Sequence, residues 1–470
     1  MVSDRSTTSC RRWRCCALFL LSVLIALVAT LTVLIIHYDI ILSTRKDDKI
    51  SPHASLIDNM LEEPKIPSVF HDLTHDETKA IVQYLLTTRE FNLQDNTIAK
   101  PNDSFLYFAE LYLPNKSAAL DHLDIGHKAP PREAKVVLLR GDKSPPVVEE
   151  YAVGPLPQII GHRLLVSKHY GKSAPYLYRP MTDVEYKEVQ RLLRKIDKDL
   201  KLVLQESYDS SFFDCENKCL VMKYYTSVTP VSSGTNRRLI WFLAHHDVEY
   251  FMLNPVDFAV LFNTDGNDAS EYSIDRIWYA GQDFATTDHL LFLYKTESIT
   301  KSFFPFPEDE TEHFSYSTLR GTQFPFKNYR SPKEILPDGQ RFTVKDGRVT
   351  YMNWAFHFRM SSQNGPQLFD IRHNSNRIIY ELSLQEIAVF HSGYQPWVRF
   401  SNILQSSRLI GVHSKSLIQG VDCPNYALFL HYHHLHQNLN RSTNKNSVCI
   451  FERLEWISTK TAFHFLQGRS

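Results

Sequence analysis

Twice in this chain a Thr-x-x-Glu box opens an amphipathic helix, and strand-like runs follow it. This pattern restricts the fold more than any other feature. The first box is Thr74 and Glu77, at the head of "DLTHDETKAIVQYLLTTR", with Ile81, Tyr84 and Leu85 on one helical face. The strand candidates "FLYFAELYLP", "AKVVLLRG" and "PVVEEYAVGPLP" follow, and the prolines of "GPLP" close the unit. The second box is Thr182 and Glu185. It opens "MTDVEYKEVQRLLRKIDKDLKLVLQ", where Val189, Leu192, Leu193, Ile196, Leu200 and Val203 keep helical spacing. Then come "CLVMKYYTSVTP", "RRLIWFLAHH", "FMLNPVDFAVLF" and "SIDRIWYAG". A helix laid on an antiparallel sheet, built twice, is an α+β pair, and both apolar stripes read as core packing. The expected units are residues 65–165 and 166–300.

The texture changes near residue 300. "FPFPEDE" and "FPFKNYRSPKEILPDGQ" read as proline-rich linker, and the strands beyond carry no convincing helix. "QRFTVKDGRVTYMNWAFHFRM" predicts a hairpin turning at Asp346-Gly347. "QLFDIRHNSNRIIYELSLQEIAVFH" predicts a second strand pair joined through "HNSN". Residues 301–470 thus read as the opening part of a large β-sandwich.

Residues 17–36, "ALFLLSVLIALVATLTVLII", carry no charge. As a helix they would extend roughly 30 Å, the thickness of a bilayer's hydrocarbon core. No clean cleavage site follows, so the segment reads as an uncleaved single-pass anchor. Arg5, Arg11, Arg12 and Arg14 stand before it. The positive-inside rule makes residues 1–16 a cytosolic tail and places the bulk outside, beyond a polar stalk at 37–64. This is a type II topology. Cys10, Cys15 and Cys16 fall on the cytosolic side, where palmitoylation is possible chemistry. Cys215, Cys219, Cys423 and Cys449 form an even set on the oxidising side, and Cys215 and Cys219 bracket the short loop "ENK". Asn102, Asn115 and Asn440 each open an Asn-x-Ser sequon on that same side. Lys+Arg and Asp+Glu both total 52, so the charge gives no argument for a nucleic-acid partner.

Several of these stretches resemble the copper-containing primary amine oxidases. Residues 339–390, and within them "FDIR…RIIYELSLQE" from Phe369 to Glu386, resemble the start of that family's catalytic β-sandwich. "GVDCP" at 420–424 and "CIFE" at 449–452 are similar to later segments of it. "SVFHDLTHDE", "AALDHLD" and "VGPLP" look like its first α+β domain, and "RIWYAGQDF" looks like the end of its second. The resemblance covers about residues 65 to 452. The anchored form is similar to the animal branch, where the cysteines matching Cys423 and Cys449 form a disulfide.

The resemblance implies oxidative deamination of primary amines to aldehyde, ammonia and hydrogen peroxide. The implied cofactors are copper, held by histidines, and topaquinone, made from the protein's own tyrosine; an aspartate serves as base. These parts are not found in the expected places. Counting back from "GVDCP" without gaps, the tyrosine position holds Ile403 and the base position holds Gln405. An amide cannot take up the proton. No Asp or Glu occurs between Glu386 and Asp422. The quinone motif, Asn-Tyr-acid, has only the partial matches Asn328-Tyr329-Arg330 and Asn425-Tyr426-Ala427. After Glu452 the match stops, and the copper histidines would lie later still.

One substitute metal site is present in "HYHHLH". On a strand His431 and His433 would share one face, and His434 and His436 the other. His431 and His433 are thus candidate ligands, although the stretch also reads as an ordinary strand. "HHDV", from His245, reads as a turn. The expectation is an amine oxidase family member that binds neither copper nor topaquinone as this chain. The alternatives are a non-catalytic adhesive ectodomain, a homodimer or a heterodimer with a full-length paralogue, and an incomplete version of an active oxidase.

Overall fold

The computed structural model describes residues 64, 67–224, 237–248, 251–307, 334–389, 403–404, 409–453 and 462–463. The expected anchor at 17–36 and the position of Gln405 lie outside the described residues. Among the described residues no helix is long and apolar enough to cross a membrane.

Helix α1, His75–Thr87, starts where the sequence predicts. The Thr74 backbone N–H donates to Glu77 Oε2 at 2.9 Å, and the Glu77 N–H donates to Thr74 Oγ1 at 3.3 Å, so the capping box is complete. Arg132 then clamps the same carboxylate through Nε and Nη2, both at 2.8 Å. Ile81 and Leu85 are fully buried against a sheet that supplies Leu106, Val136, Leu138 and Val153. Its strands are β1 Ser104–Tyr112, β2 Glu133–Arg140, β3 Val147–Gly154 and β4 Gly161–Leu164, paired antiparallel in order. Between β1 and β2 lie a short helix, α2 Lys116–Leu120, and a π-helical turn, Asp121–Ile125.

The second helical stretch breaks into two. Helix α3 is Asp183–Asp199 and α4 is Lys201–Tyr208, separated at Leu200, whose φ and ψ are −105° and 16°. The apolar spacing continues across the break, so one stripe still faces one core. Leu193, Ile196, Val203 and Tyr208 pack with Phe242, Phe258, Phe262 and Ile277. A fully buried aliphatic or phenyl side chain contributes about 1.5–3 kcal/mol. The sheet beneath is a meander of β5 Leu220–Tyr224, β6 Leu239–His246, β7 Pro255–Asn263, β8 Ser273–Tyr279 and β9 Gln282–Phe284. Helix α5, Thr287–Lys295, was not anticipated; Thr286 caps it, and Leu290 and Tyr294 enter the same core.

The third sheet is a second meander. It comprises β10 Phe342–Lys345, β11 Arg348–Tyr351, β12 Trp354–Ser361, β13 Gly365–His373 and β14 Asn376–Ser383. Both predicted turns form. Lys345 pairs with Arg348 across Asp346-Gly347, and His373 pairs with Asn376 across Asn374-Ser375. All four turn residues have positive φ.

The hairpin of β15 Leu428–His436 and β16 Ser442–Ile450 does not join this sheet. It extends the first sheet instead, with Leu435 opposite Ala109 and His436 opposite Phe108. The order there is β16-β15-β1-β2-β3-β4. Leu435 is buried in the core of the first helix and sheet, and the opposite face of β1 packs Phe105, Tyr107 and Phe108.

Candidate functional site

The site with most polar chemistry lies where the hairpin and the third sheet meet the first helix and sheet. Arg359 on β12 is 3% exposed. Its Nε donates to Asp72 Oδ1 at 3.0 Å, and its Nη2 stands 3.7 Å from Glu110 Oε2 on β1. Burial opposes its charge, but Asp72 and Glu110 outweigh that and raise its pKa. Glu110 also accepts from Ser361 Oγ at 3.0 Å and from the Ser362 N–H at 2.8 Å. The Tyr432 hydroxyl pairs with Ser362 Oγ at 2.8 Å, and burial holds its pKa far above the usual phenol range. A small cavity of about 10 Å³ lies among these groups, lined also by His433, His434 and Arg441. That is space for about one water molecule. The cluster is an interface of ion pairs and hydrogen bonds with no room for an organic substrate.

The histidines of β15 are used by the hairpin itself. His431 Nδ1 accepts from the Asn446 N–H at 3.1 Å, and His433 Nδ1 pairs with Thr443 Oγ1 at 2.8 Å. The His434 ring stacks on Tyr432 with centroids 5.6 Å apart, and burial lowers its pKa. His436 meets Tyr107 edge-on at 5.3 Å; burial, then His434 and His413, push its pKa down to about 3. The pairing with β16 shifts register here, Leu430 lying opposite Val448 and Tyr432 opposite Asn444, so the extra residues are on β16. Among the described residues no group of three or more His, Cys, Asp or Glu could hold a metal ion. A copper ion needs several imidazole lone pairs converging, and these residues do not offer them.

Tyr426 donates its hydroxyl to the Glu452 carbonyl at 2.8 Å. Tyr329 and Gln405 lie outside the described residues. His245 and His246 are the last residues of β6 rather than part of a turn; His245 pairs through Nδ1 with the Phe251 carbonyl at 3.0 Å, and burial lowers its pKa to about 4.

Two disulfides are present, Cys215–Cys219 and Cys423–Cys449. Cys449 on β16 and Cys423 share a small core with Leu417, Phe429 and Phe451. Asn102, Asn115 and Asn440 are all exposed. Asn115 is also the N-cap of α2, its Oδ1 accepting from the Ser117 N–H at 2.9 Å.

Sequence reasoning missed a second buried cluster. Arg238, 0% exposed, donates to the carboxylate of Glu185 and to Thr264 Oγ1, and through Nη2 to the Arg179 carbonyl at 3.0 Å. Arg179 Nη2 donates to Glu185 Oε1 at 3.2 Å and to the Thr264 carbonyl at 2.8 Å. Glu185 therefore leaves its expected capping box half-made. Thr182 Oγ1 accepts from the Glu185 N–H at 3.3 Å, but the carboxylate turns to the arginines. Nothing in "MTDVE" itself signals this; Arg179 lies just before it and Arg238 is 53 residues on.

The comparisons with known proteins agree on one family. The profile described as the copper amine oxidase enzyme domain matches residues 343–465, so the likeness runs beyond Glu452, where the sequence reading ended it. That of the copper amine oxidase N2 domain matches residues 76–160. A putative copper-containing amine oxidase of Margaritifera margaritifera is 38% identical over 398 residues, covering 84% of this chain and 50% of that protein. The chain belongs to the copper amine oxidase family. Human copper-containing diamine oxidase is 30% identical over 399 residues, covering 83% of this chain and 52% of its own. The chain thus spans about half the length of the curated relatives it matches. Among solved structures, Pichia pastoris lysyl oxidase superposes with a TM-score of 0.72 at 20% identity, over 86% of this chain and 56% of that one. The Aspergillus nidulans amine oxidase gives 0.69 at 23%, over 86% and 55%. At such identities these two show the fold alone, a mixed, sheet-rich α/β architecture.

Proposed function

We propose that these 470 residues form two α+β units and the opening strands of the catalytic β-sandwich of a copper amine oxidase, and that by themselves they do not oxidise amines. The family reaction is oxidative deamination of primary amines with copper and topaquinone. The observation that carries the reading is the state of the candidate ligands: His431 and His433 each engage Nδ1 within the hairpin, and among the described residues no group of three or more His, Cys, Asp or Glu stands ready for a metal. It is supported by Gln405 at the base position and by the lack of an Asn-Tyr-acid motif. Losing a general base alone costs about 10²–10⁴-fold in rate; without a quinone there is no electrophile to accept the amine. The test is to express the full chain, load it with copper under air and add phenylhydrazine, which traps carbonyl cofactors as coloured adducts. No adduct and no peroxide from a simple primary amine are expected. Either signal above a copper-free control defeats the reading.

A second reading, association with another amine oxidase chain, is favoured by β14. Among the described residues this strand ends its sheet, and Ile378, Ile379 and Leu382 on it are exposed. Successive strand residues face opposite ways; Tyr380, between Ile378 and Leu382, packs on Phe70 and Phe369, while Ile379 stands exposed on the other face. Residues 17–36 would hold the protein in a membrane with the bulk outside, where Asn102, Asn115 and Asn440 accept glycans. Alkaline carbonate extraction and glycosidase treatment of the expressed chain test this; release from membranes, or no mobility shift, defeats it.

A further inference from the structure

The third sheet ends, at its β11–β12 and β13–β14 turns, in an open groove of about 650 Å³ lined by Arg348, Met352, Trp354, Arg372 and Asn374. The charge beneath this groove does not balance. Asp370 is 1% exposed, and its Oδ1 accepts from Arg372 Nε at 2.8 Å and Arg377 Nε at 2.7 Å. Asp124, on the π-helical turn, accepts from Arg372 Nη2 at 2.7 Å and Arg377 Nη2 at 2.8 Å. Two arginines are thereby matched to two carboxylates. Arg348 is a further cation, 3.5 Å from the Asp370 carboxylate. Among the described residues its side chain hydrogen-bonds from Nη1 to His357 Nε2 at 3.1 Å. His357 is neutral, since burial and then Arg348 push its pKa down to about 4. The Arg348 side chain is 36% exposed, so a surplus positive charge borders the groove with donors to spare.

The other wall is apolar where a turn does not need it to be. Met352 has a φ of +49°, in the left-handed region that favours Gly, Asn or Asp, and it is 69% exposed. Trp354 beside it is 41% exposed and leans on the His373 ring at 4.8 Å. A methionine held at a strained position with its side chain in solvent points to a contact made by that side chain.

We propose that this groove docks an acidic peptide segment of a partner protein, a carboxylate pairing with Arg348 and a neighbouring apolar side chain lying on Met352 and Trp354. Charge complementarity selects the carboxylate, and the apolar wall selects a peptide over a sulfated glycan, which has only charge to offer. The site is independent of amine oxidation.

The test uses the full chain in detergent micelles and fluorescein-labelled hexapeptides of alternating Glu and Leu, or alternating Gln and Leu, read by fluorescence anisotropy. The Glu-Leu peptide is expected to bind at least tenfold more tightly than the Gln-Leu peptide, and less tightly as salt rises. Arg348→Gln should remove that selectivity. Met352→Asn, which suits the turn, should weaken Glu-Leu binding severalfold while the melting temperature holds or rises. This second variant keeps the test decisive if Arg348→Gln folds poorly. Equal affinity for the two peptides, an unchanged Met352→Asn variant, or binding of a heparin hexasaccharide with none of the Glu-Leu peptide would each overturn the proposal.

Discussion

The carboxylate of Glu185 lies against the guanidinium of Arg238, and both side chains are almost wholly withdrawn from solvent. Arg179 completes the group, so one buried carboxylate serves two buried cations. Burial, then Arg179, lowers the pKa of Arg238 to about 10.

Removing that carboxylate would leave both cations uncompensated. Glu185→Gln is expected to destabilise the protein by about 3–5 kcal/mol, measured by urea unfolding. In a double-mutant cycle with Arg238→Met, the pair should couple by about 0.5–3 kcal/mol. Additive losses would mean that the contact contributes nothing specific.

Acid should weaken the fold through its buried histidines. His245 and His357 are lowered to about 4 and His436 to about 3, from an ordinary 6.5, with burial the main cause of each. The unfolded chain takes up these protons first. Their contribution to stability is therefore full above pH 6.5 and is lost as pH falls toward 4 and below. Melting temperatures between pH 7 and 4 should show this fall, and His436→Phe should flatten it. A flat profile in the unaltered chain contradicts the assignment.

The two disulfides should differ in worth. Cys423–Cys449 closes a separation of 26 residues and Cys215–Cys219 one of 4. Chain-entropy arguments give about 3–4 kcal/mol for the first and about 2 for the second. Cys423→Ser with Cys449→Ser is therefore expected to lower the unfolding midpoint more than Cys215→Ser with Cys219→Ser. Peptide mapping without reductant checks the pairing itself.

Strand β14 should drive association. Ile379→Lys and Leu382→Lys place charges on an uncovered sheet edge, which disfavours edge-to-edge pairing. Sedimentation velocity of the full chain in detergent should show less oligomer for the double variant. No change would locate association elsewhere.

Much of this architecture is written in local pattern. The Thr74–Glu77 box, the stripe from Val189 to Val203 and the turns at Asp346-Gly347 and Asn374-Ser375 each depend on a few neighbouring residues. The family resemblance was legible for the same reason, in short contiguous runs such as residues 369–386. Helix α5 was harder to see, because Thr287–Lys295 is short and most of its apolar residues lie close together.

What tertiary structure alone decided are the choices among distant partners. Glu185 had a capping role open to it nearby, yet buried arginines 6 and 53 positions away took its carboxylate, because an unpaired guanidinium in the core costs more than an unclosed box. His431 and His433 could have faced a metal by alternation; their Nδ1 atoms took the cross-strand partners Asn446 and Thr443, and among the described residues no third ligand gathers with them. The hairpin of β15 and β16 could have joined the sheet that precedes it in sequence, but Leu435 pairs beside Ala109 and fills the first core. A sequence states which residues are able to start a helix, turn a strand or be buried. Which partner each one takes is a competition between groups far apart in the chain, and it is resolved only when packing brings them together.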